Sequence, residues 1–287
     1  MNGYDQDVLR VCEYIQLHLD DELNVDTLTS VSGFSKYHFH RIFSSYTGFS
    51  ITKFIHISRL KRASLRLAFK PAIKIIDIGF EAGFDSAEAF SRAFKREFGQ
   101  SPSQFRKSPE WVDWRSKTRL PHSNIGQNMN TQRDVIIIDF PTTKVAALEH
   151  HGAPELHYET TIKFIAWRKE SKLSPVNTSK SYGIPYADPQ LVKPEDFRFD
   201  LCGEVEQAVP ENDHGVVNKI IPAGRCAVVR HMGGRDNLRD SVYYLYRDWL
   251  PMHQEMCRDF PVFFHYHNFI QDVNEHELIT DVYLPIQ

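Results

Sequence analysis

The residues that decide the fold of the first half are DIGFEAGFDSAEAFSRAFKREFGQSPSQFR, Asp77–Arg106. The same pattern begins fifty positions earlier, where Gly33-Phe34 corresponds to Gly83-Phe84. After a one-residue insertion the match continues through Phe39 and Phe90, Arg41 and Arg92, Phe43 and Phe94, Gly48 and Gly99, Ser50 and Ser101, and Phe54 and Phe105. An internal repeat of this kind indicates two copies of one supersecondary unit.

Each copy has the order short helix, glycine turn, second helix. We predict the short helices at about 24–32 and 74–82, each ending at a glycine that takes a positive φ before a Ser or Asp starts the next helix. This order is the helix-turn-helix pattern. A long helix over about 50–69 joins the copies, and Ser101-Pro102-Ser103-Gln104 predicts a capping box on a last short helix. The first half is therefore predicted to be all-α.

The second helix of each copy has an apolar face for the core and a polar face that is free to bind. Arg41 and Arg92 occupy equivalent polar positions, and an arginine can donate two hydrogen bonds to guanine, so we expect both to read bases. Lys95 and Arg96 are expected to contact phosphate. The full set predicted to contact DNA is Ser35, Lys36, Tyr37, His40, Arg41, Ser86, Ala87, Glu88, Arg92, Lys95 and Arg96.

The connecting helix sets the spacing of the two reading faces. Twenty helical residues span about 30 Å, close to one turn of B-DNA at about 34 Å, so one chain can enter successive major grooves of an asymmetric site. Two points stay open. Glu88 either accepts from cytosine or forms a capping box with Asp85. The basic residues of the connecting helix either contact the DNA backbone or only solvate the helix; they are Arg59, Lys61, Arg62 and Arg66.

Composition indicates a folded chain whose two halves differ in charge. The chain has 287 residues, 41% hydrophobic and 25% charged, with a net charge of −3. Phe34–Lys107 carries 14 Lys and Arg against 5 Asp and Glu, whereas Trp111 onwards carries 19 against 24, so a basic half precedes an acidic one. The longest aliphatic run is only Val135–Ile138 and the polar start is no signal peptide, so we expect no membrane contact and a cytoplasmic protein.

The second half is predicted to be α+β and internally doubled. Val145–Gly152 resembles Cys226–Gly233, a helical pattern follows each, and Asp200 and Asp281 take matching places. Two β-α-β-β units related by a pseudo-twofold axis would leave a cleft for a small ligand. We therefore predict a helical DNA-binding domain over 1–108, a polar linker over 109–132 and an α+β domain over 133–287. Four widely spaced cysteines and the lack of catalytic motifs predict no metal, cofactor or catalytic residue.

The run Asp77–Arg106 resembles the signature of the AraC/XylS family of bacterial transcription regulators, and Ser32–Gly48 is especially similar to its Rob-like branch. The resemblance implies a sequence-specific regulator that binds double-stranded DNA, with RNA polymerase as a further partner. The residues that match the family's base-contacting positions are Tyr37, His40, Arg41, Ala87, Glu88 and Arg92. Tyr37, His40, Ala87 and Glu88 depart from the residues common in Rob-like members.

The second half resembles the GyrI-like effector-binding domain, through YGIPYADP at Tyr182–Pro189, PEDFRFDLCG at Pro194–Gly203 and the ending TDVYLPI. The resemblance implies an aromatic pocket with a carboxylate for a small molecule, often a lipophilic cation. The residues that we expect to line it are Trp167, Tyr182, Tyr186, Phe264, Tyr266 and Asp281. Aromatic faces attract cations and a partly buried carboxylate is stabilised by one, so this chemistry is coherent.

Three hypotheses follow from the sequence. The leading one is a DNA-binding transcription regulator, not an enzyme, whose second domain senses a small molecule. A second is a small-molecule-sequestering or hydrolysing GyrI-like protein with an accessory DNA-binding domain, in which Asp281→Asn would abolish turnover. A third is an architectural protein that binds DNA through charge alone, with a steep salt dependence and little sequence preference.

Overall fold

The computed structural model describes residues 4–118, 133–189, 191–270 and 272–287; the side chains of Tyr4, Asp5, Lys36 and Tyr37 lie outside that description. The chain divides into two compact units. Among the described residues, the first unit comprises 4–118, 270 and 272–276, and the second unit comprises 133–189, 191–269 and 277–287. No helix among the described residues is long and apolar enough to cross a membrane.

The described secondary structure of residues 4–118 is helical throughout. Its helices are α1 (Tyr4–Leu17), α2 (Val25–Ser32), α3 (Lys36–Thr47), α4 (Ile51–Phe69), α5 (Ile75–Glu81), α6 (Ala87–Phe98), α7 (Pro102–Lys107) and α8 (Trp111–Thr118). The pairs α2–α3 and α5–α6 are the two predicted helix-turn-helix units, and α4 is the predicted connecting helix.

The turns and caps of these helices follow the sequence signals. Gly33 and Gly83 have φ values of 72° and 81°, in the left-handed region that disfavours residues with a Cβ. Gly83 also leaves room for a neighbour, since a Cβ there would lie 2.9 Å from a terminal nitrogen of Arg59. Ser101 and Gln104 form the predicted capping box at the start of α7. Local sequence therefore fixes where these helices begin and end.

Two aromatic and aliphatic clusters hold the first unit together. Around the first helix-turn-helix, α1 packs against α2, α3 and the start of α4, with Phe39, Phe43 and Phe54 fully buried. Around the second, a series of ring contacts runs from Phe90 through Phe94 and on to Trp111 and Trp114. Each helix-turn-helix thus has its own core, and α4 contributes to both.

The first part of the predicted linker is a helix of the first unit. Trp111 and Trp114, on α8, are each only 1% exposed, and the indole Nε1 of Trp114 donates to Ser64 Oγ on α4 at 2.6 Å. Burying two indoles stabilises the folded unit, so this segment packs as a helix and does not remain an exposed linker. The predicted linker, 109–132, therefore begins too early. Residues 119–132 of that range lie outside the described residues.

The second unit contains strands β1 (Val135–Phe140), β2 (Thr143–His151), β3 (Ser181–Pro185), β4 (Arg198–Glu204), β5 (Val217–Ile221), β6 (Gly224–Met232), β7 (Phe263–Tyr266) and β8 (Ile279–Pro285). Its helices are α9 (His157–Ser171), α10 (Leu238–Tyr244) and α11 (Leu250–His253), and a π-helical segment, Leu245–Trp249, joins the last two. Short 3-10 turns, Pro154–Leu156 and Arg235–Asn237, precede α9 and α10. The predicted α+β class is confirmed.

The described strands form one eight-stranded antiparallel sheet in the order β1-β6-β8-β7-β3-β4-β2-β5. The order is symmetric about the β7–β3 pair, where Tyr182 lies opposite His265. The first half of the repeat contains β1–β4 and the second contains β5–β8. The first strand of each half pairs with a strand of the other half: β1 pairs with β6, and β5 pairs with β2. The two halves are thus joined in one continuous sheet.

The two halves keep the same register along the chain, with Asp281 lying 81 positions after Asp200. The same offset relates two buried histidines, His150 and His231. His150 approaches Thr160 Oγ1 (2.8 Å) and Ala153 O (3.1 Å), and His231 approaches Ser241 Oγ (3.1 Å) and Gly234 O (3.0 Å). Burial lowers the pKa of His231, which favours the neutral ring. Each histidine fastens a strand to the following helix.

Alternate residues of each strand face opposite sides of the sheet. The helices cover one side, where Phe264, Val282 and Leu284 pack against α10. On the other side Tyr182, Phe263 and Tyr283 pack with Phe140 in a separate cluster. Both sides of the central strands are therefore buried. We call the side that the helices cover the helix face, and the opposite side, with the Phe140 cluster, the open face.

We expect Trp114→Ala to destabilise the first unit by about 3–5 kcal/mol, because it removes a buried indole and leaves a cavity. Hydrogen exchange read by mass spectrometry on peptides from α4 and α6 measures the loss of protection. Val112→Ala, at an exposed position on the same helix, is the matched control and should change stability by less than about 0.5 kcal/mol. Equal protection in both variants would contradict the assignment of α8 to this core.

Candidate functional site

The polar faces of α3 and α6 carry exposed basic residues at equivalent positions. Phe39 and Phe43 point α3 into the core, and Phe90 and Phe94 do the same for α6, which leaves Arg41 and Arg92 exposed. No residue in the described part of the chain forms a hydrogen bond or ion pair with either guanidinium. Both arginines are thus available to an outside partner. Also exposed are His40, Glu88, Lys95 and Arg96.

The two helices begin differently. Ser86 is the N-cap of α6 and its side chain accepts from Ala89 N at 3.1 Å, whereas the Ser35 side chain makes no such bond at the start of α3. The Ser86 hydroxyl is engaged in its own helix, and the Asp85–Glu88 capping box that the spacing allowed is not the cap used. Glu88 lies exposed in the first turn, where a carboxylate is favourable.

Three of the positions predicted to contact DNA, Lys36, Tyr37 and Ala87, add little to the described surface. The side chains of Lys36 and Tyr37 lie outside the described residues. Ala87, the first residue of α6, is partly exposed and has only a methyl group to offer a base. The exposed basic groups of the candidate interface, within the described residues, are therefore mainly Arg41, Arg92 and the basic end of α6.

The basic residues of α4 are internal ties, so the expectation that they contact DNA or merely solvate the helix is wrong. Arg62 is 4% exposed and donates to both carboxylate oxygens of Asp20, at 3.0 and 2.5 Å, and to the Glu81 carbonyl at 2.9 Å. Arg59 donates to the Leu19 carbonyl at 3.0 Å. Arg66 pairs with Glu81, and Lys61 is buried. These contacts fasten α4 to the segment after α1 and to the end of α5.

The six residues predicted to line a ligand pocket do not lie together. Trp167 is buried between α9 and the sheet, where it stacks on Phe164, and so belongs to the core. Phe264 and Tyr266 lie on the helix face. Tyr182 lies on the open face. Asp281 lies on the same face, because it stands two residues before Tyr283 on β8. Tyr186, 47% exposed, follows the end of β3. The expectation of a single pocket is therefore corrected, since alternation along the strands separates its members.

The two matched carboxylates of the open face already hold cations from this chain. Asp200 accepts from Lys219 Nζ and from the Tyr186 hydroxyl, both at 2.7 Å. Asp281 accepts from Arg230 through two hydrogen bonds of 2.8 and 2.9 Å. Although burial acts to raise it, the pKa of Asp281 is lowered, because Arg230 and His267 stabilise the carboxylate. Each buried carboxylate therefore has its own internal counter-ion.

Two histidines lie beside Asp281. His265 and His267 share the open face, with ring centroids 4.2 Å apart, and His267 Nε2 lies 2.6 Å from Asp281 Oδ2. The potential ligand atoms of the three residues lie within 4.8 Å of one another. Burial lowers the pKa of His265 to about 4. Arg230 already neutralises the carboxylate, which argues against a cation there.

Sequence reasoning missed the cations that complete these pairs, Lys219 and Arg230, and a third one on the helix face, Arg235. Arg230 stands 81 positions after Glu149, so the repeat contains a reversal of charge that could have been noticed. Lys219 lies on β5, which belongs to the other half of the repeat, and only the exchange of first strands brings it to Asp200. Arg235 lies in a turn that has no periodic pattern.

Comparison with known proteins identifies both units. Residues 133–287 match the GyrI-like small molecule binding domain, and residues 28–108 match a helix-turn-helix domain. The probable transcriptional regulator YgiV of Escherichia coli strain K12 is 46% identical over 157 residues, 55% of this chain and 98% of that protein. The transcriptional regulator Rob of Salmonella typhimurium is 26% identical over 248 residues, 83% of this chain and 82% of that protein. An EcmrR–DNA complex solved by cryo-electron microscopy aligns with a TM-score of 0.45 at 14% identity, covering 92% of this chain and 85% of that one.

The chain therefore belongs to the GyrI-like small molecule binding domain family, with a helix-turn-helix domain in front of that domain. Its layout is that of the Rob-like AraC-family regulators, and it is a DNA-binding transcription regulator.

The pairing of Asp20 with Arg62 makes the stability of the first unit depend on pH. The hydrogen bonds from Arg62 lower the pKa of Asp20 below its ordinary value, so the pair stabilises the fold above about pH 4 and is lost as pH falls through the folded-state pKa. Asp20→Asn should therefore cost about 1 kcal/mol at pH 7 and less at acid pH.

Urea unfolding of the unchanged protein and of Asp20→Asn, at pH 7 and at pH 3, measures this difference in stability. Hydrogen exchange in α4 then locates it. The control is Asp21→Asn, because Asp21 contributes its backbone carbonyl, not its carboxylate, to Arg59. If Asp20→Asn lost the same stability at both pH values, the ion pair would not be the cause.

Proposed function

We propose that the regulator reads an asymmetric DNA site with α3 and α6 in successive major grooves. The observation that supports this most directly is that Arg41 and Arg92 are exposed at equivalent positions and form no hydrogen bond or ion pair with other described residues, while the arginines of α4 are engaged inside the unit. Each arginine would donate two hydrogen bonds to a guanine, and Lys95 and Arg96 would contact the backbone. The site is asymmetric because α3 has His40, Ser44 and Ser45 at the positions where α6 has Ser91, Lys95 and Arg96.

The length of α4 supports the spacing. Its 19 residues correspond to about 28 Å of helix, and Arg59 and Arg62, near its middle, tie it to the segment after α1 and to the end of α5. That distance approaches one turn of B-DNA, so both helices would lie on the same side of the duplex.

The second unit would bind a small molecule that changes DNA binding or transcription. The match to a small molecule binding domain supports this role, and RNA polymerase would be a further partner of the DNA-bound protein. We further propose that the protein has no catalytic activity. Asp281, the carboxylate that a hydrolase would use, has both oxygens engaged by Arg230 and one also near His267, so it is poorly placed to activate water.

Selection of bound duplexes from a random DNA library, with the full chain at near-physiological salt, tests the proposed DNA recognition. We expect an enriched motif of two unlike blocks about one helical turn apart. Arg41→Ala and Arg92→Ala should each weaken binding to the selected duplex by about 1–3 kcal/mol and relax specificity in one block only, because each removes one base contact.

Lys95→Ala is the matched control on α6, since loss of a phosphate contact should weaken all sequences alike. Binding without any enriched motif, and with a steep loss of affinity as salt rises, would contradict the proposal and favour binding through charge alone. Unchanged affinity in both arginine variants would overturn the assignment of the reading residues.

A further inference from the structure

Arg235 lies against two neighbouring aromatic rings, Tyr266 and Phe269, in the second unit. It opens the turn Arg235–Asn237 before α10. Its guanidinium carbon lies 4.2 Å from the ring centroid of Tyr266 and 5.5 Å from that of Phe269. Arg235 is partly exposed, so solvent and solutes reach one side of it. A cation flanked by aromatic rings is stabilised by them, but the rings accept no conventional hydrogen bonds from its edge.

Most of the hydrogen-bonding capacity of Arg235 is unused. A guanidinium carries five N–H donors. Within the described residues only one bond is made, from a terminal nitrogen to the Asn268 carbonyl at 3.1 Å. Nε is fully buried and has no acceptor there. Nearly all buried polar groups in proteins have a partner, and the guanidinium of Arg235 keeps donors for which the described residues supply no acceptor.

Arg235 also lacks a counter-ion. No carboxylate of the described residues pairs with it, whereas Lys219 and Arg230 on the open face each pair with an aspartate. Burial lowers the pKa of Arg235, since Tyr266 and Tyr158 offset only part of the desolvation. A partly buried cation without an opposite charge is unfavourable, and an anion that reached it would be held strongly.

The other half of the repeat shows that the fold does not require an arginine and a tyrosine at the positions of Arg235 and Tyr266. The residues 81 positions before Arg235 and Tyr266 are Pro154 and Pro185, and the first half builds the same turn and strand with them. The packing around Tyr266 is nevertheless specific. A Cβ on Gly183, in β3, would lie 2.3 Å from the Tyr266 hydroxyl, so only glycine leaves room for this ring.

We propose that Arg235 binds the acidic group of a small lipophilic or aromatic anion, whose apolar body packs against Tyr266 and Phe269. A carboxylate suits the guanidinium because the two groups form paired, charge-assisted hydrogen bonds. The inference rests on the proposed role of the second unit as a small-molecule sensor and names the class of molecule. It differs from the lipophilic cation that the sequence suggested. Asp200 and Asp281, the buried carboxylates of the open face, are already paired with cations.

Two probes with the same ring system and opposite charge test the proposal on the full chain: 2-naphthoate and (2-naphthylmethyl)trimethylammonium. Titration calorimetry should show naphthoate binding at least tenfold tighter than the ammonium probe. Arg235→Gln should weaken naphthoate at least tenfold, and Arg235→Lys should retain part of the affinity. The matched control is Arg247→Gln, because Arg247 is 60% exposed and pairs with its neighbour Asp248; it should bind naphthoate like the unchanged chain.

The outcomes separate this inference from the proposed function. Preference for the ammonium probe, or equal naphthoate binding by Arg235→Gln, would overturn the anion site and leave a small-molecule sensor in place. Binding of neither probe would also overturn the anion site, while DNA selection continues to test the regulator independently.

Thermal unfolding of Arg235→Met without ligand distinguishes binding from a structural role. The Tm of the second unit should be unchanged or higher, since an apolar side chain replaces a partly buried cation that has no counter-ion among the described residues. A clear fall in Tm would assign Arg235 to the stability of the fold and overturn the proposal.

Discussion

The guanidinium of Arg62 is the contact on which the DNA-binding unit depends. It is almost fully buried, grips Asp20 after α1 and reaches the carbonyl of Glu81 at the end of α5. Because α4 separates the two helix-turn-helix units, this single side chain ties the segment after α1 to the end of α5, the first helix of the second helix-turn-helix. The exposed arginines on α3 and α6 would recognise a site of fixed length only if α4 is held in this way.

The second unit shows how a duplicated fold acquires one-sided chemistry. The buried histidines, His150 and His231, are kept in both halves and fasten strand to helix in the same way. The charged groups are not kept: Glu149 in one half corresponds to Arg230 in the other, and Pro154 corresponds to Arg235. Positions that maintain the fold are repeated, and positions that differ are where a ligand would distinguish one half from the other.

Much of the fold is predictable from local sequence. The two glycine turns, the caps of α4 and α7, the connecting helix and the doubled α+β half all follow from short-range signals. Helix α8 was missed because a polar stretch surrounds Trp111 and Trp114, although two indoles three residues apart indicate one helix face. The site was harder. The partners of Arg62, Asp200 and Asp281 come from distant segments, and the face on which each aromatic residue lies depends on strand register.

The spacing of the two DNA contacts is the most direct test of this interpretation. On the duplex selected by the full chain, five or ten base pairs would be inserted between the two recognised blocks and the affinity measured by fluorescence anisotropy. A rigid α4 predicts that both insertions reduce affinity at least tenfold, to the level of a duplex with one block. Recovery of full affinity at ten base pairs would contradict a fixed spacing and show that the two helix-turn-helix units move independently.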